Sequence, residues 1–95
     1  MEIIWSLTAK TSFKSNVKYL KEEWSAKEIV KFTEEVYKKL ELLAVNPNMG
    51  RYDEELRCKK FVLIKQITLL YLIEVDIIYL LGFWNNYQKP LKRLL

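Results

Sequence analysis

The stretch that decides the fold runs from Leu56 to Pro90. It reads Leu56-Arg57-Cys58-Lys59-Lys60-Phe61-Val62-Leu63-Ile64-Lys65, then Ile67 to Val75, then Ile77 to Trp84, and closes on Asn85-Asn86-Tyr87-Gln88-Lys89-Pro90. Three runs rich in β-branched and aromatic residues are separated only by Lys65-Gln66 and Glu74-Val75-Asp76. Such runs with minimal breaks predict an antiparallel meander with tight connections. The middle run is apolar on both parities, with Ile67, Leu69, Tyr71 and Ile73 on one and Leu70 and Leu72 on the other. A sheet with one wet face alternates apolar and polar residues. This pattern therefore predicts cover on both faces, one from the chain's own helices and the other from a partner or a second layer.

Upstream, Glu2-Ile3-Ile4-Trp5-Ser6 reads as a short first strand. A helix follows, with Thr8 expected as its cap and Ala9, Phe13, Asn16-Val17, Leu20 and Trp24 recurring every three or four residues along one face. The lysines at 10, 14, 18 and 21 fall beside that stripe, on the wet side. Ser25-Ala26-Lys27-Glu28 is a capping box, and it opens a second helix with Ile29, Phe32, Val36, Leu40 and Leu43 on one face. Asn46-Pro47-Asn48-Met49-Gly50 stops that helix. The expected architecture is α+β in the order β-α-α-β-β-β. An N-terminal strand leads into a two-helix hairpin packed on one face of an antiparallel sheet, with residues 1–95 forming one domain.

Composition narrows the classes. Half of the residues are apolar (51%) and 14% are aromatic, which excludes a disordered chain. Cys58 is the only cysteine, so no internal disulfide forms, and a reducing, cytoplasmic setting is expected. Glu2 and the short apolar start do not fit a signal peptide, and no apolar run approaches the ~20 residues of a membrane helix. Residues 1–45 carry eight lysines against seven glutamates, whereas residues 46–95 carry eight basic against five acidic groups. Arg57, Lys59, Lys60 and Lys65 form one acid-free block, and Lys89, Lys92 and Arg93 another. Basic blocks beside a sheet suit a phosphate backbone, an acidic protein, or simply a solvated surface.

Several chemistries are excluded. There is no histidine, and the glycines are Gly50 and Gly82 alone, so nucleophile–histidine pairs and glycine-rich phosphate loops are absent. One cysteine without histidine cannot build a zinc cluster; no metal and no cofactor is expected. Glu22-Glu23 and Glu34-Glu35 read as solvated helix surface, and Asp53-Glu54-Glu55 as a loop before the sheet. What remains is basic and phenolic. Arg57, Lys59, Lys60, Lys65 and Tyr87 are the candidate functional face, since arginine and lysine stabilise phosphoryl charge and tyrosine can move a proton. Tyr71 and Tyr79 lie inside the apolar runs and read as packed sheet aromatics, whereas Tyr87 stands outside them among amides.

These features, in this order, resemble the RelE/ParE superfamily of bacterial toxins. The resemblance rests on Ile3-Ile4-Trp5-Ser6 with Ala9, on Tyr19-Leu20 and Trp24, and on Leu43, Pro47 and Gly50. It continues through Arg57, Leu70-Tyr71, Ile78 to Trp84, and Gln88-Lys89-Pro90. It implies a cytoplasmic, growth-inhibiting toxin of a type II, plasmid-stabilising module, held in a hetero-oligomer by a cognate antitoxin. RelE-like members cut mRNA on the ribosome, and ParE-like members poison DNA gyrase. Many relatives carry an arginine where Tyr87 stands and a histidine or arginine near Asn85. The uncharged residues here favour the gyrase-directed branch. The alternatives are a ribosome-dependent endoribonuclease using Arg57 and the lysines, and a structural partner in a hetero-complex.

Overall fold

The computed structural model describes residues 1–87. Its elements are β1 (Glu2–Trp5), α1 (Leu7–Leu20), α2 (Ala26–Val45), β2 (Arg51–Asp53), β3 (Cys58–Ile64), β4 (Ile67–Glu74) and β5 (Ile77–Asn85). The three long runs of the sequence become β3, β4 and β5, joined by turns at Lys65-Gln66 and Val75-Asp76. Val75 sits in the left-handed region (φ 53), which suits the twist of a two-residue hairpin but strains a β-branched side chain. No helix among the described residues is long and apolar enough to cross a membrane.

The sheet has the order β1-β5-β4-β3-β2 and is mixed rather than antiparallel throughout. β1 runs parallel to β5, pairing Glu2 with Ile77 and Trp5 with Leu80. A parallel pair needs a long crossover, and the two helices with the rest of the sheet supply it. β2 is an additional strand: Arg51-Tyr52-Asp53 pairs with Lys60-Lys59-Cys58. Asp53 therefore ends a strand, and only Glu54 and Glu55 of the acidic triplet lie in the turn.

Both helices start on a serine. Ser25 and Glu28 close the expected capping box on α2, satisfying each other's backbone amides. For α1 the cap is Ser6, not Thr8: its hydroxyl accepts the Ala9 amide at 2.9 Å. The helix begins as soon as β1 ends, two residues earlier than the pattern suggested. Ile29, Phe32, Val36, Leu40 and Leu43 of α2 are all buried, as their spacing requires. They meet Leu63, Ile67, Leu69, Tyr71, Ile78, Leu80 and Phe83 of the sheet in one core. The rings of Trp5, Phe13 and Phe83 lie within 5.1–5.6 Å of one another, edge-on or tilted, an arrangement aromatic quadrupoles favour. Trp24 lies beyond the end of α1, yet its ring packs edge-on against Phe32 at 5.9 Å and closes the hairpin. Each large buried side chain of this kind contributes roughly 1.5–3 kcal/mol.

Helix α1 has a second task. β1 pairs only with Ile77 to Leu80, leaving the outer edge of β5 beyond Leu80 without a strand. The helix covers that gap with side chains. The Phe83 amide donates to Ser12 Oγ and Asn16 Nδ2 donates to the Phe83 carbonyl, both at 2.9 Å. Ser6 continues the line, its amide donating to the Leu80 carbonyl at 3.2 Å. Asn16, on the apolar stripe of the sequence, is thus a buried polar residue with a backbone partner.

At the other end of the core, Tyr71 ties the α2–β2 connection down. Its phenol donates to the Pro47 carbonyl at 2.7 Å and accepts the Gly50 amide at 2.9 Å. A side chain on Gly50 would lie 2.6 Å from that phenol oxygen and 2.7 Å from the Lys60 carbonyl, so only glycine fits. Burial raises the Tyr71 pKa, with the Gly50 amide opposing it. Tyr71 is therefore a structural tyrosine, as its position inside an apolar run implied.

Candidate functional site

Cross-strand partners share a sheet face, and the register sorts the side chains into two sets. Phe61, Leu69 and Phe83 form a row on the helix side, as do Tyr71, Leu80 and Trp5. The opposite face carries the rows Val62–Thr68–Trp84 and Leu72–Tyr79–Ile4, with Leu70 and Ile77 between and beside them. None of these residues joins the helix-side core. Val62 keeps 59% of its surface exposed and Ile4 36%, whereas Leu70, Leu72, Ile77, Tyr79 and Trp84 are half-buried and Thr68 is buried, so among the described residues this face is only partly covered. An apolar sheet face with such exposed residues is the candidate interaction surface.

Its ionisable groups sit at the margin. Arg51 and Lys60 are register partners at the β2 edge, and Lys60 pairs with Asp53 at 3.0 Å. The Asp53 carboxylate also accepts the amides of Glu55 and Leu56 at 2.9 and 3.0 Å, shaping the β2–β3 turn. The Leu56 amide and then Lys60 hold its pKa below the ordinary aspartate value. Cys58 lies beside it, buried, with its thiol pushed up first by burial and then by Asp53. A protonated, buried thiol is a packing group and not a nucleophile.

The candidate residues of the sequence separate into three places. Arg57 closes the β2–β3 turn, exposed, in the left-handed conformation (φ 56), its amide donating to the Asp53 carbonyl at 2.8 Å. Lys59 and Lys60 are consecutive strand residues and point to opposite faces. Lys60 joins Arg51 on the open face, whereas Lys59 shares the row of Tyr52 and Tyr71 on the other. Lys65 lies in the β3–β4 turn at the far end of the sheet. Tyr87 is there too: the Asn86 amide donates to the Gln66 carbonyl at 2.7 Å, and the Tyr87 amide to Asn85 Oδ1 at 2.9 Å. Because β3 and β5 are both antiparallel to β4, the start of one and the end of the other lie at opposite ends. Arg57 and Tyr87 therefore do not border a common site. Gln88 and the second basic block, Lys89, Lys92 and Arg93, lie outside the described residues.

Sequence reasoning missed Arg51, because the three residues of β2 carry no apolar alternation. It also passed over a cleft of about 600 Å³ between Thr8, Thr11 and Ser15 of α1 and Trp84 of β5. No group of three metal-ligating side chains occurs among the described residues.

Residues 3–88 match the family model for the ParE toxin of the type II toxin–antitoxin system parDE. Among solved structures, the chain is similar to the chromosomal ParDE toxin–antitoxin system from P. aeruginosa, with a TM-score of 0.74 and 14% identity. That match covers 90% of this chain and 95% of the other. It is also similar to a copper-bound point mutant of a toxin from Helicobacter pylori, with a TM-score of 0.64 and 10% identity over 93% and 97% of the two chains. No curated protein matches by sequence. At these identities the structural likeness establishes the fold.

Proposed function

The chain belongs to the ParE toxin family of type II toxin–antitoxin systems, and on that premise we propose that it arrests growth in the cytoplasm by binding and inhibiting DNA gyrase. The observation that carries this reading is the open sheet face, whose centre is apolar. Leu70, Leu72 and Trp84 dominate that centre, where Tyr79 is the one proton-carrying side chain of the central rows besides the Thr68 hydroxyl, with no cation beside it in those rows. Lys60 is engaged by Asp53. Asn85, near which many relatives bear a cation, is a buried amide that holds the Tyr87 turn.

The same face is the seat of the antitoxin in this reading. An acidic antitoxin segment lays apolar side chains along Ile4, Leu72, Tyr79 and Val62 and brings carboxylates to Arg51 and Arg57 at the β2 corner. An interface of standard size buries about 1,600 Å² in total, and a wrapping partner more. Neutralisation follows from competition, because a covered face cannot meet the target.

Induced expression with a DNA-damage reporter and primer extension in the same culture tests the target. Gyrase inhibition predicts a damage response with intact transcripts. New 5′ ends inside codons with a quiet reporter would replace this reading with ribosome-dependent endoribonuclease activity. Arg57→Ala and Tyr87→Phe then ask which end of the sheet meets the target, since each removes a group from one end only.

A further inference from the structure

Helix α1 carries a ridge that neither the core nor the open sheet face uses. Lys10, Lys14, Lys18 and Lys21 fall within a sector of about 80° on the helical wheel, at intervals of roughly 4.5–6 Å along the axis. All are exposed, and the one ion pair among the described residues lies elsewhere, between Lys60 and Asp53. No acidic residue occurs between Leu7 and Leu20; Glu22 and Glu23 come only after the ridge ends. Thr11 and Ser15, exposed hydroxyls, flank it on one side. On the other, Lys14, Lys18 and Lys21 border a cleft of about 400 Å³ that ends at Thr33 of α2.

We propose that this ridge binds the phosphate backbone of a nucleic-acid duplex. Phosphate contacts are made by lysine together with serine and threonine hydroxyls, the groups that compose this surface. Protein interfaces have the opposite character at their centres, rich in aromatic and apolar groups and depleted of lysine. Leu7, at the N-terminal end of the ridge, is the one large apolar residue of α1 among the exposed ones, at 79%. The ridge is straight and convex and bears no exposed aromatic ring on which single-stranded bases could stack, so it meets a duplex from outside and reads no sequence. The inference goes beyond gyrase as the target and does not require it.

The test is fluorescence anisotropy of the purified full chain with a labelled duplex of about 20 base pairs and arbitrary sequence, titrated between about 50 and 200 mM salt. Four lysine–phosphate contacts predict a log–log salt slope of about −3 to −4, and hence a roughly 100-fold loss of affinity across that range. The triple variant Lys10→Gln/Lys14→Gln/Lys18→Gln retains Lys21 alone, so its slope should fall to about −1 and its loss to about 3-fold. Glutamine is a good helix former, and a melt of the variant verifies folding. Arg51→Gln/Arg57→Gln, at the far edge of the sheet, should leave the slope unchanged. DNA and RNA duplexes of equal length identify which source of phosphate is preferred. An unchanged slope in the folded triple variant, or no duplex binding at low salt, overturns the proposal. Loss of antitoxin co-elution in that variant with duplex binding intact would assign the ridge to an acidic protein and overturn it too.

Discussion

The two helices lie side by side on one sheet and are built on different terms. α2 stabilises itself: it has a complete capping box, four lysines interleaved with four glutamates, and five apolar residues that reach the core. α1 depends on the sheet. It has a single-serine cap, three lysines with no acid between its ends, and among its buried residues an asparagine. Lysines at i and i+4 repel by a few tenths of a kcal/mol per pair, and no first-turn carboxylate offsets the helix dipole. The contrast teaches that a helix can be held in place by what it does for a neighbouring strand, which frees its outer surface to hold an unbalanced charge. α2 is the buttress; α1 completes the edge of the sheet and carries the unbalanced charge.

The largest expected effect tests the buttress. Phe32→Ala removes a ring that stacks on Phe13 at 6.2 Å and meets Trp24 at 5.9 Å, and should cost about 3–5 kcal/mol in urea denaturation. A cost no larger than that of an α1 surface change would break the division of labour between the helices.

The next probes the tie between the sheet and the connection that follows α2. Tyr71→Phe leaves the Pro47 carbonyl and the Gly50 amide without their partner and should cost about 2–3 kcal/mol. It also has a pH signature. The raised pKa of the folded state means that the unfolded phenol ionises first, so this contribution is complete below about pH 10 and is lost as pH rises above it. Wild type should lose stability in that range more steeply than Tyr71→Phe.

Asn16→Ala tests the dependence of α1. The Phe83 carbonyl loses its donor, but the buried Asn16 Oδ1, which has no hydrogen-bond partner, is removed as well. The net cost should be about 1–2 kcal/mol. Hydrogen exchange should locate the loosening at the end of β5 rather than in α2. Uniform loosening would mean that the edge contact is incidental.

The smallest effects should differ in sign. Lys14→Glu turns two repulsive neighbours, Lys10 and Lys18, into attractive ones and should stabilise by about 0.5 kcal/mol. Lys31→Glu in α2 faces Glu28, Glu34 and Glu35 and should destabilise by a similar amount. Thermal melts at low and high salt check both, since salt should erase the difference.

Much of this was legible in the sequence where interactions are local. The capping box, the stripe of α2 and the three runs of the meander depend on residues a few positions apart, and each became the expected element. The parallel pairing of β1 was not legible, because its partner lies more than seventy residues away. β2 was hidden by its three polar-edged residues, and Ser6 displaced Thr8 because the end of β1 sets where the helix can start. The candidate face fared least well. A block of basic residues along a sequence becomes, on a strand, two faces and two ends, and strand direction alone separates Arg57 from Tyr87.

Ser12 and Asn16 have a consequence for self-association. A strand edge with free amides and carbonyls is a template for another copy's strand. Beyond Leu80 the β5 edge would be such a template, and two short side chains occupy it. By closing it from within, α1 removes that stretch of β5 as a docking edge for another copy. The Ser12→Ala/Asn16→Ala chain would be expected to report its defect first as light scattering, before any loss of melting temperature.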